Sequence, residues 1–399
     1  MANVAKIPVI DISGGGGEAE QLQVAKELVE AAIEHGFVFI RNTGNDIPVE
    51  AVEGAFDISR KLFGAPLEEK EKCKYEQNNR GWSSMQYEVL DPKNQRVSSL
   101  QNSLRGWLLL SLTQTTCPGW RLQGVCIPLI LSHLALATSL QPVIYRIRAF
   151  NFGEFVDGKA QQPIPDTIAQ YEGQVGAFRD LCYQMCLKIN TLLGIGLQVD
   201  PPDFFTAAHL REKGTSGTIL RFLYYPPLAD TSADREDVRA GAHSDYGSIT
   251  MLFRLKGQAG LEILTREDTW APVPVTPPGT EGDAAPPILV NIGDLLSYWT
   301  NGLLRSTVHR VVFPGPGKGA VEGETDADPR YSMAFFCHPV GTTPLTPVPS
   351  ERVRQFKAPP SSSSQAAQLD PAGEKVLTAD EHLNMRLRAS YLQFYKDKE

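Results

Sequence analysis

Ala242-His243-Ser244-Asp245-Tyr246-Gly247-Ser248-Ile249-Thr250-Met251-Leu252-Phe253 is the stretch on which the fold of this 399-residue chain turns. His243 and Asp245 are two apart, so on an extended backbone both side chains leave the same face. The run from Ser248 to Phe253 is rich in β-formers and holds no breaker. A second histidine lies in Ser306-Thr307-Val308-His309-Arg310-Val311-Val312-Phe313, in phase with Thr307 and Val311. Arg330 and Ser332 are again two apart, at the head of Tyr331-Ser332-Met333-Ala334-Phe335-Phe336. One face of that strand offers a guanidinium and a hydroxyl side by side, a fit for one carboxylate. A His-x-Asp pair with a distant His is the ligand set of the 2-His-1-carboxylate facial triad. That triad holds Fe(II) on one face and leaves the other open for dioxygen and a co-substrate. Taken singly, His309 reads as a packed core residue and Asp245 as a surface acid. All four residues in this order, on strand-like segments, favour the ligand reading.

Working outward, Glu18 to Glu34 reads as an amphipathic helix, and 46–73 as further helices with turns at Pro48 and Gly64-Ala65-Pro66. A long helix is predicted from about Asp166. It sets Ile168, Tyr171, Val175, Phe178, Cys182, Met185, Ile189 and Leu192 at three- and four-residue steps. Such a stripe is core, and this helix is expected to brace the barrel. Thr378 to Lys398 reads as a closing helix with Thr378 or Asp380 as its cap.

Composition excludes several classes. A formal charge of −8 with no basic stripe argues against nucleic acid or an anionic membrane as partner. Cys73, Cys117, Cys126, Cys182, Cys186 and Cys337 lack the spacing of a zinc site, and Cys182 with Cys186 reads as packing on one helix face. Met1-Ala2-Asn3-Val4-Ala5-Lys6 leads straight into a predicted strand without a secretory signal, so a reducing, cytoplasmic home and a monomer are expected. His35, His209, His338 and His382 show no partner pattern and read as surface or packed residues.

On these blocks the sequence resembles the iron(II)- and 2-oxoglutarate-dependent dioxygenases of the isopenicillin N synthase-like branch. The likeness is strongest over 218–340. It includes Leu220-Arg221-Phe222-Leu223-Tyr224-Tyr225-Pro226-Pro227, the His243 block, Asn291-Ile292-Gly293-Asp294, and the His309 and Arg330 blocks. It returns at Ile7-Pro8-Val9-Ile10-Asp11-Ile12, Glu34-His35-Gly36-Phe37-Val38-Phe39-Ile40, Asn79-Arg80-Gly81-Trp82 and Ala149-Phe150-Asn151-Phe152-Gly153-Glu154. Fungal thymine hydroxylases and plant oxidases look nearest. The resemblance implies a mixed α/β fold with a mainly β core: a double-stranded β-helix, or jelly-roll (cupin-like) barrel, flanked by helices.

It also implies His243, Asp245 and His309 as iron ligands, with Arg330 and Ser332 on the distal carboxylate of 2-oxoglutarate and Tyr225 reaching that co-substrate. Plant relatives carry Asn two residues before this tyrosine, where Leu223 stands here, which puts any contact from that Asn in doubt. The expected reaction hydroxylates or desaturates a small molecule, with O₂ consumed and succinate and CO₂ released; the protein orients the reactants and excludes water. Two alternatives stay open: an iron oxidase that needs no 2-oxoglutarate, and an inactive barrel. Retention of Arg330 and Ser332 speaks against the first. Arg80-Gly81-Trp82, Phe253 and Phe336 are candidate pocket shapes.

One segment breaks the pattern. From Val97 to Arg148, 52 residues contain no Asp, Glu or Lys and are rich in Leu. The apolar run Val125–Leu140 is interrupted by Pro128 and His133 and is shorter than the roughly 20 residues a membrane span needs. Val97-Ser98 can be encoded by an intron's opening consensus and Gln141 by its closing one, so translated non-coding sequence is the expectation. The organisation read from sequence is 1–96, an atypical insert at 97–148, 149–345 with the barrel core at about 215–340, and a tail at 346–399. The stretch 315–329 reads as a surface loop between strands.

Overall fold

A computed structural model describes residues 4–14, 17–75, 78–83, 147–226, 237–313, 329–357 and 376–390. Most of the 97–148 insert, the 315–329 loop up to 328 and the last residues of the closing helix lie outside them. In chain order the strands are β1 (Val9–Ile10), β2 (Phe37–Ile40), β3 (Gly81–Ser83), β4 (Arg148–Phe152), β5 (Phe155–Val156), β6 (Lys159–Ala160) and β7 (Ile219–Tyr225). They continue as β8 (Asp237–His243), β9 (Ile249–Arg254), β10 (Leu261–Leu264), β11 (Trp270–Pro272), β12 (Ile288–Ile292), β13 (His309–Phe313) and β14 (Arg330–Cys337). A large sheet runs β1-β2-β12-β9-β14-β7-β4-β3 and a smaller one β11-β10-β13-β8. The mainly β core is a jelly roll with flanking helices, as expected.

Both faces of the large sheet are buried, and period two sorts them. Val38, Ile40, Met251, Phe253, Val290 and Phe335 point to a core shared with the helices. Phe37, Phe39, Leu289, Ala334 and Leu223 point the other way, into the barrel, beside Leu261, Ile263 and Val311 of the small sheet. This phase corrects one expectation. Phe253 lies on the helix side, 5.2 Å from the Phe178 ring, while its neighbours Thr250 and Leu252 face the cavity.

The bracing helix is α-helical over Glu172–Gly196 and is preceded by a 3₁₀ turn at Asp166–Tyr171, which is where its predicted start differs. Its Val175, Phe178, Cys182, Met185, Cys186, Ile189 and Leu192 are buried, so the two cysteines are packing residues. The first helix is Glu18–Glu34, and the next two are Val49–Gly64 and Leu67–Glu71. Ile147 lines the cavity and Arg148 opens β4, so the atypical segment's far edge lies before them.

The last described helix, Ala379–Ser390, starts in a reciprocal cap. Thr378 Oγ1 accepts from the Glu381 amide at 3.3 Å, and Glu381 Oε2 accepts from the Thr378 amide at 2.9 Å. Thr378 rather than Asp380 is therefore the capping residue. Among the described residues, no helix is long and apolar enough to cross a membrane.

Candidate active site

The small sheet brings the two histidines together. His243 ends β8, His309 begins β13, and the two are direct partners across the ladder. Their rings lie 4.4 Å apart between centroids, and Phe37 packs edge-on against His309 at 5.7 Å. Asp245 sits in the turn two residues past the end of β8. The close backbone of that turn explains its glycines. A side chain on Gly293 would strike the Gly247 carbonyl, and one on Gly247 the Cys337 carbonyl.

Asp245 Oδ1 is 3.9 Å from His243 Nε2 and 3.7 Å from His309 Nε2. One ligand atom from each of the three residues falls within 4.8 Å of the others. Bonds of about 2 Å at right angles on one metal put ligand atoms about 3 Å apart, so a small inward movement closes the set. Hydrogen bonding already prepares each donor. His243 Nδ1 donates to the Gly241 carbonyl at 2.7 Å and His309 Nδ1 to the Thr307 carbonyl at 3.1 Å. A carbonyl can only accept, so each Nδ1 carries a proton, which leaves Nε2 as the ligand atom of each ring. Asn291 Nδ2 donates to Asp245 Oδ2 at 2.7 Å, leaving Oδ1 for the histidine side. Burial alone would raise the Asp245 carboxyl. The adjacent His309 and His243, with hydrogen bonds from Asn291 and Thr250, outweigh it and hold the group below its ordinary value.

The large sheet supplies the facing wall. Along β7 the inward residues are Ile219, Arg221, Leu223 and Tyr225; along β14 they are Arg330, Ser332, Ala334 and Phe336. The antiparallel register pairs Tyr225 with Arg330, Leu223 with Ser332, Arg221 with Ala334 and Ile219 with Phe336. All six sequence-predicted site residues therefore line one cavity, with Tyr225, Arg330 and Ser332 at one end. Arg330 is only 2% exposed. Its Nε donates to the Ala259 carbonyl at 2.9 Å, Nη1 lies 3.4 Å from Ser332 Oγ, and the guanidinium stands 4.7 Å from the Tyr225 ring centre. These contacts fix a fork that can take a carboxylate in two parallel hydrogen bonds. Leu223 adds an apolar side chain beside these polar groups.

At the other end stand Phe336, Ile219, Asn79, His338 and, from the last helix, Leu383 and Leu387. Phe336 lines the cavity as expected; Asn79 does so in place of the neighbouring Arg80 and Trp82. His209, His338 and His382 are packed, and burial pushes their pKa values down to about 4, 3 and 4. Sequence reasoning missed the roles of Asn291, Arg221, Leu383 and Leu387. For Asn291 a signal existed: it stands at an inward position of β12 in a block already quoted for its likeness.

Two family models match this chain. A family described as non-haem dioxygenase in morphine synthesis N-terminal matches residues 7–104, and the 2OG-Fe(II) oxygenase superfamily matches 216–339. UPF0676 protein C1494.01 of Schizosaccharomyces pombe is 31% identical over 356 residues, covering 87% of this chain and 86% of its own length. The 2-oxoglutarate-dependent dioxygenase gloF of Glarea lozoyensis is 26% identical, covering 81% and 84%. A full-length Neurospora crassa protein, solved in complex with alpha-KG and thymine, superposes with a TM-score of 0.67 at 25% identity, covering 98% of this chain and 99% of that one.

Proposed function

The chain belongs to the 2OG-Fe(II) oxygenase superfamily, and from that premise we propose that His243, Asp245 and His309 hold its iron while Arg330, Ser332 and Tyr225 hold the distal carboxylate of 2-oxoglutarate. The protein is a 2-oxoglutarate-dependent dioxygenase, an oxidoreductase that couples oxidation of a substrate to release of succinate and CO₂. One observation carries the residue assignment: both Nε2 atoms converge on Asp245 Oδ1 in the cavity whose end holds Arg330. The donor set fits the group. Two neutral imidazoles and one carboxylate suit Fe(II) and leave positions for exchangeable ligands. When bound, the iron supplies the redox chemistry with dioxygen.

The chain's own residues do the rest. Gly241 and Thr307 carbonyls hold the imidazoles in their metal-ready tautomer, and Asn291 aims the carboxylate. Arg330 orients the co-substrate by its far end, so that the reactive end faces the His-Asp-His group. Leu223, Leu252, Leu261 and Val311 keep water from that path. The remaining, mostly apolar end accepts a small molecule with an apolar part, which is hydroxylated or desaturated. A cytoplasmic monomer, with 1–96 as N-terminal region, 149–345 as barrel and 346–399 as tail, completes the reading. Of the segment 97–148, Ile147 and Arg148 belong to the barrel, and the remainder is then an addition that the barrel does not require.

The test is succinate release from 2-oxoglutarate in the presence of Fe(II) and air. The reading requires release that disappears in His243→Ala, His309→Ala and Asp245→Ala proteins that still fold. Equal release by folded variants and the parent would refute the assignment. An oxidase independent of 2-oxoglutarate is disfavoured by the cationic end of the cavity, and would show no succinate at all.

A further inference from the structure

Asp294 is the hub of a buried polar knot that lies outside the proposed ligand set. Its Oδ1 accepts from Ser306 Oγ at 2.6 Å; its Oδ2 accepts from Ser244 Oγ at 3.0 Å and from Arg386 Nη2 at 2.6 Å. The Arg386 and Asp294 side chains are 11% and 6% exposed. Arg386 also reaches Ser244 Oγ at 3.5 Å, and its guanidinium stands 5.1 Å from the Tyr246 ring centre. Ser244 lies between His243 and Asp245, and Ser306 lies three residues before His309. One carboxylate thus ties both metal-facing segments to the helix Ala379–Ser390. That helix is the one that places Leu383 and Leu387 over the cavity's apolar end. Leu383, Arg386 and Leu387 fall within one turn of it, so docking the cation and roofing the cavity are one event.

We propose that Arg386 is a positioning residue for the reaction: it docks the last helix on the His243–Asp245 turn and thereby sets Leu383 and Leu387 as the specificity-determining roof of the substrate end. The proposal rests on the metal-site reading given above. A buried ion pair is stable only with both partners aligned, because either charge alone is left desolvated. Setting the turn for a metal therefore favours the docked helix. By thermodynamic reciprocity, the docked helix favours the metal-ready turn.

Hydrogen–deuterium exchange of the full chain, with and without Mn(II) and 2-oxoglutarate, tests the coupling without turnover. In the parent protein, exchange should slow in both 242–248 and 379–390, in the second segment by roughly fivefold or more. In Arg386→Met the protection of 379–390 by Mn(II) should vanish, and Arg386→Lys should restore part of it. Unchanged exchange in 219–225 and 330–337 shows that the barrel is intact. Should Arg386→Met fail to fold, the parent with and without Mn(II) decides. Protection of 242–248 without 379–390, or coupling that persists in Arg386→Met, overturns this proposal and leaves the metal reading standing. Protection of neither segment overturns the metal reading itself.

Discussion

The two ends of the cavity are built on different principles. At the Arg330 end every group stands on adjacent strands of one sheet: Tyr225 faces Arg330, and Leu223 faces Ser332, with β9 on the far side of β14. Gln258 adds a brace, accepting from the Tyr331 amide at 2.8 Å. At the opposite end Ile219 and Phe336 of the sheet, with Asn79 and His338, are closed over by one helix that carries Leu383 and Leu387. It is tied at its start to 341–345 through the Ala379 amide on Thr343 and the Asp380 amide on Gly341, and further along by Arg386. A ladder distributes its strength over many bonds, whereas the roof depends on a few. The Arg330 end is thus fixed, and the opposite end is the part that can differ between relatives without disturbing the barrel.

The contrast can be broken at its middle first. Asp245→Asn keeps the volume and the link to Asn291 but removes the charged ligand. We expect metal binding and succinate release to be abolished while the melting transition survives; calorimetry with metal titration checks both.

Acid should separate the two ends. His209, His338 and His382 cluster near the roof, and burial holds all three below the ordinary imidazole value of 6.5. The unfolded chain therefore takes up protons first as pH falls. Their contribution to stability is full above about 6.5 and drains away toward about 4 for His209 and His382, and about 3 for His338. Three protons correspond to at most roughly a thousandfold per pH unit in the folding equilibrium, or about 4 kcal/mol. Exchange at pH 5 should rise in 376–390 before it rises in 219–225. A simultaneous rise would mean that the ends are equally anchored.

Arg330→Ala should weaken 2-oxoglutarate binding by roughly 30- to 150-fold, the loss of a charge-assisted bidentate pair, and leave metal affinity nearly unchanged. Equal losses would make Arg330 a structural residue. Asn291→Ala should cost metal affinity roughly 10- to 100-fold by freeing the carboxylate to rotate. The smallest effect belongs to the roof: Leu383→Ala should alter 2-oxoglutarate and metal affinities by less than about twofold, below the effect of any ligand-orienting contact. A larger change would erase the distinction between the ends.

Much of the fixed end was legible in the sequence because short-range periodicity encodes it. Arg330 and Ser332 share a face by period two, and so do Leu223 and Tyr225. The His243–Asp245 spacing was read the same way, yet β8 stops at His243 and a turn delivers Asp245. Both faces of β9 are buried, so hydrophobicity alone does not say which face meets the cavity, and Phe253 falls on the helix side. Asn291 lies in a block that resembles the family, but its bond to Asp245 spans 46 residues, a distance that no local pattern records. The roof was the least legible part. Leu383 and Leu387 show an ordinary helical spacing, and it is tertiary contacts, among them the pairing of Arg386 with Asp294 and the links to Gly341 and Thr343, that place that face at the cavity.

The most direct test of the central claim is a crystal grown anaerobically with Fe(II) and 2-oxoglutarate, with data collected at the iron edge. A single anomalous peak is expected about 2.0–2.2 Å from His243 Nε2, Asp245 Oδ1 and His309 Nε2, with the far carboxylate of 2-oxoglutarate against Arg330 and Ser332. A peak away from these three atoms, or 2-oxoglutarate bound without contact to Arg330, would contradict it.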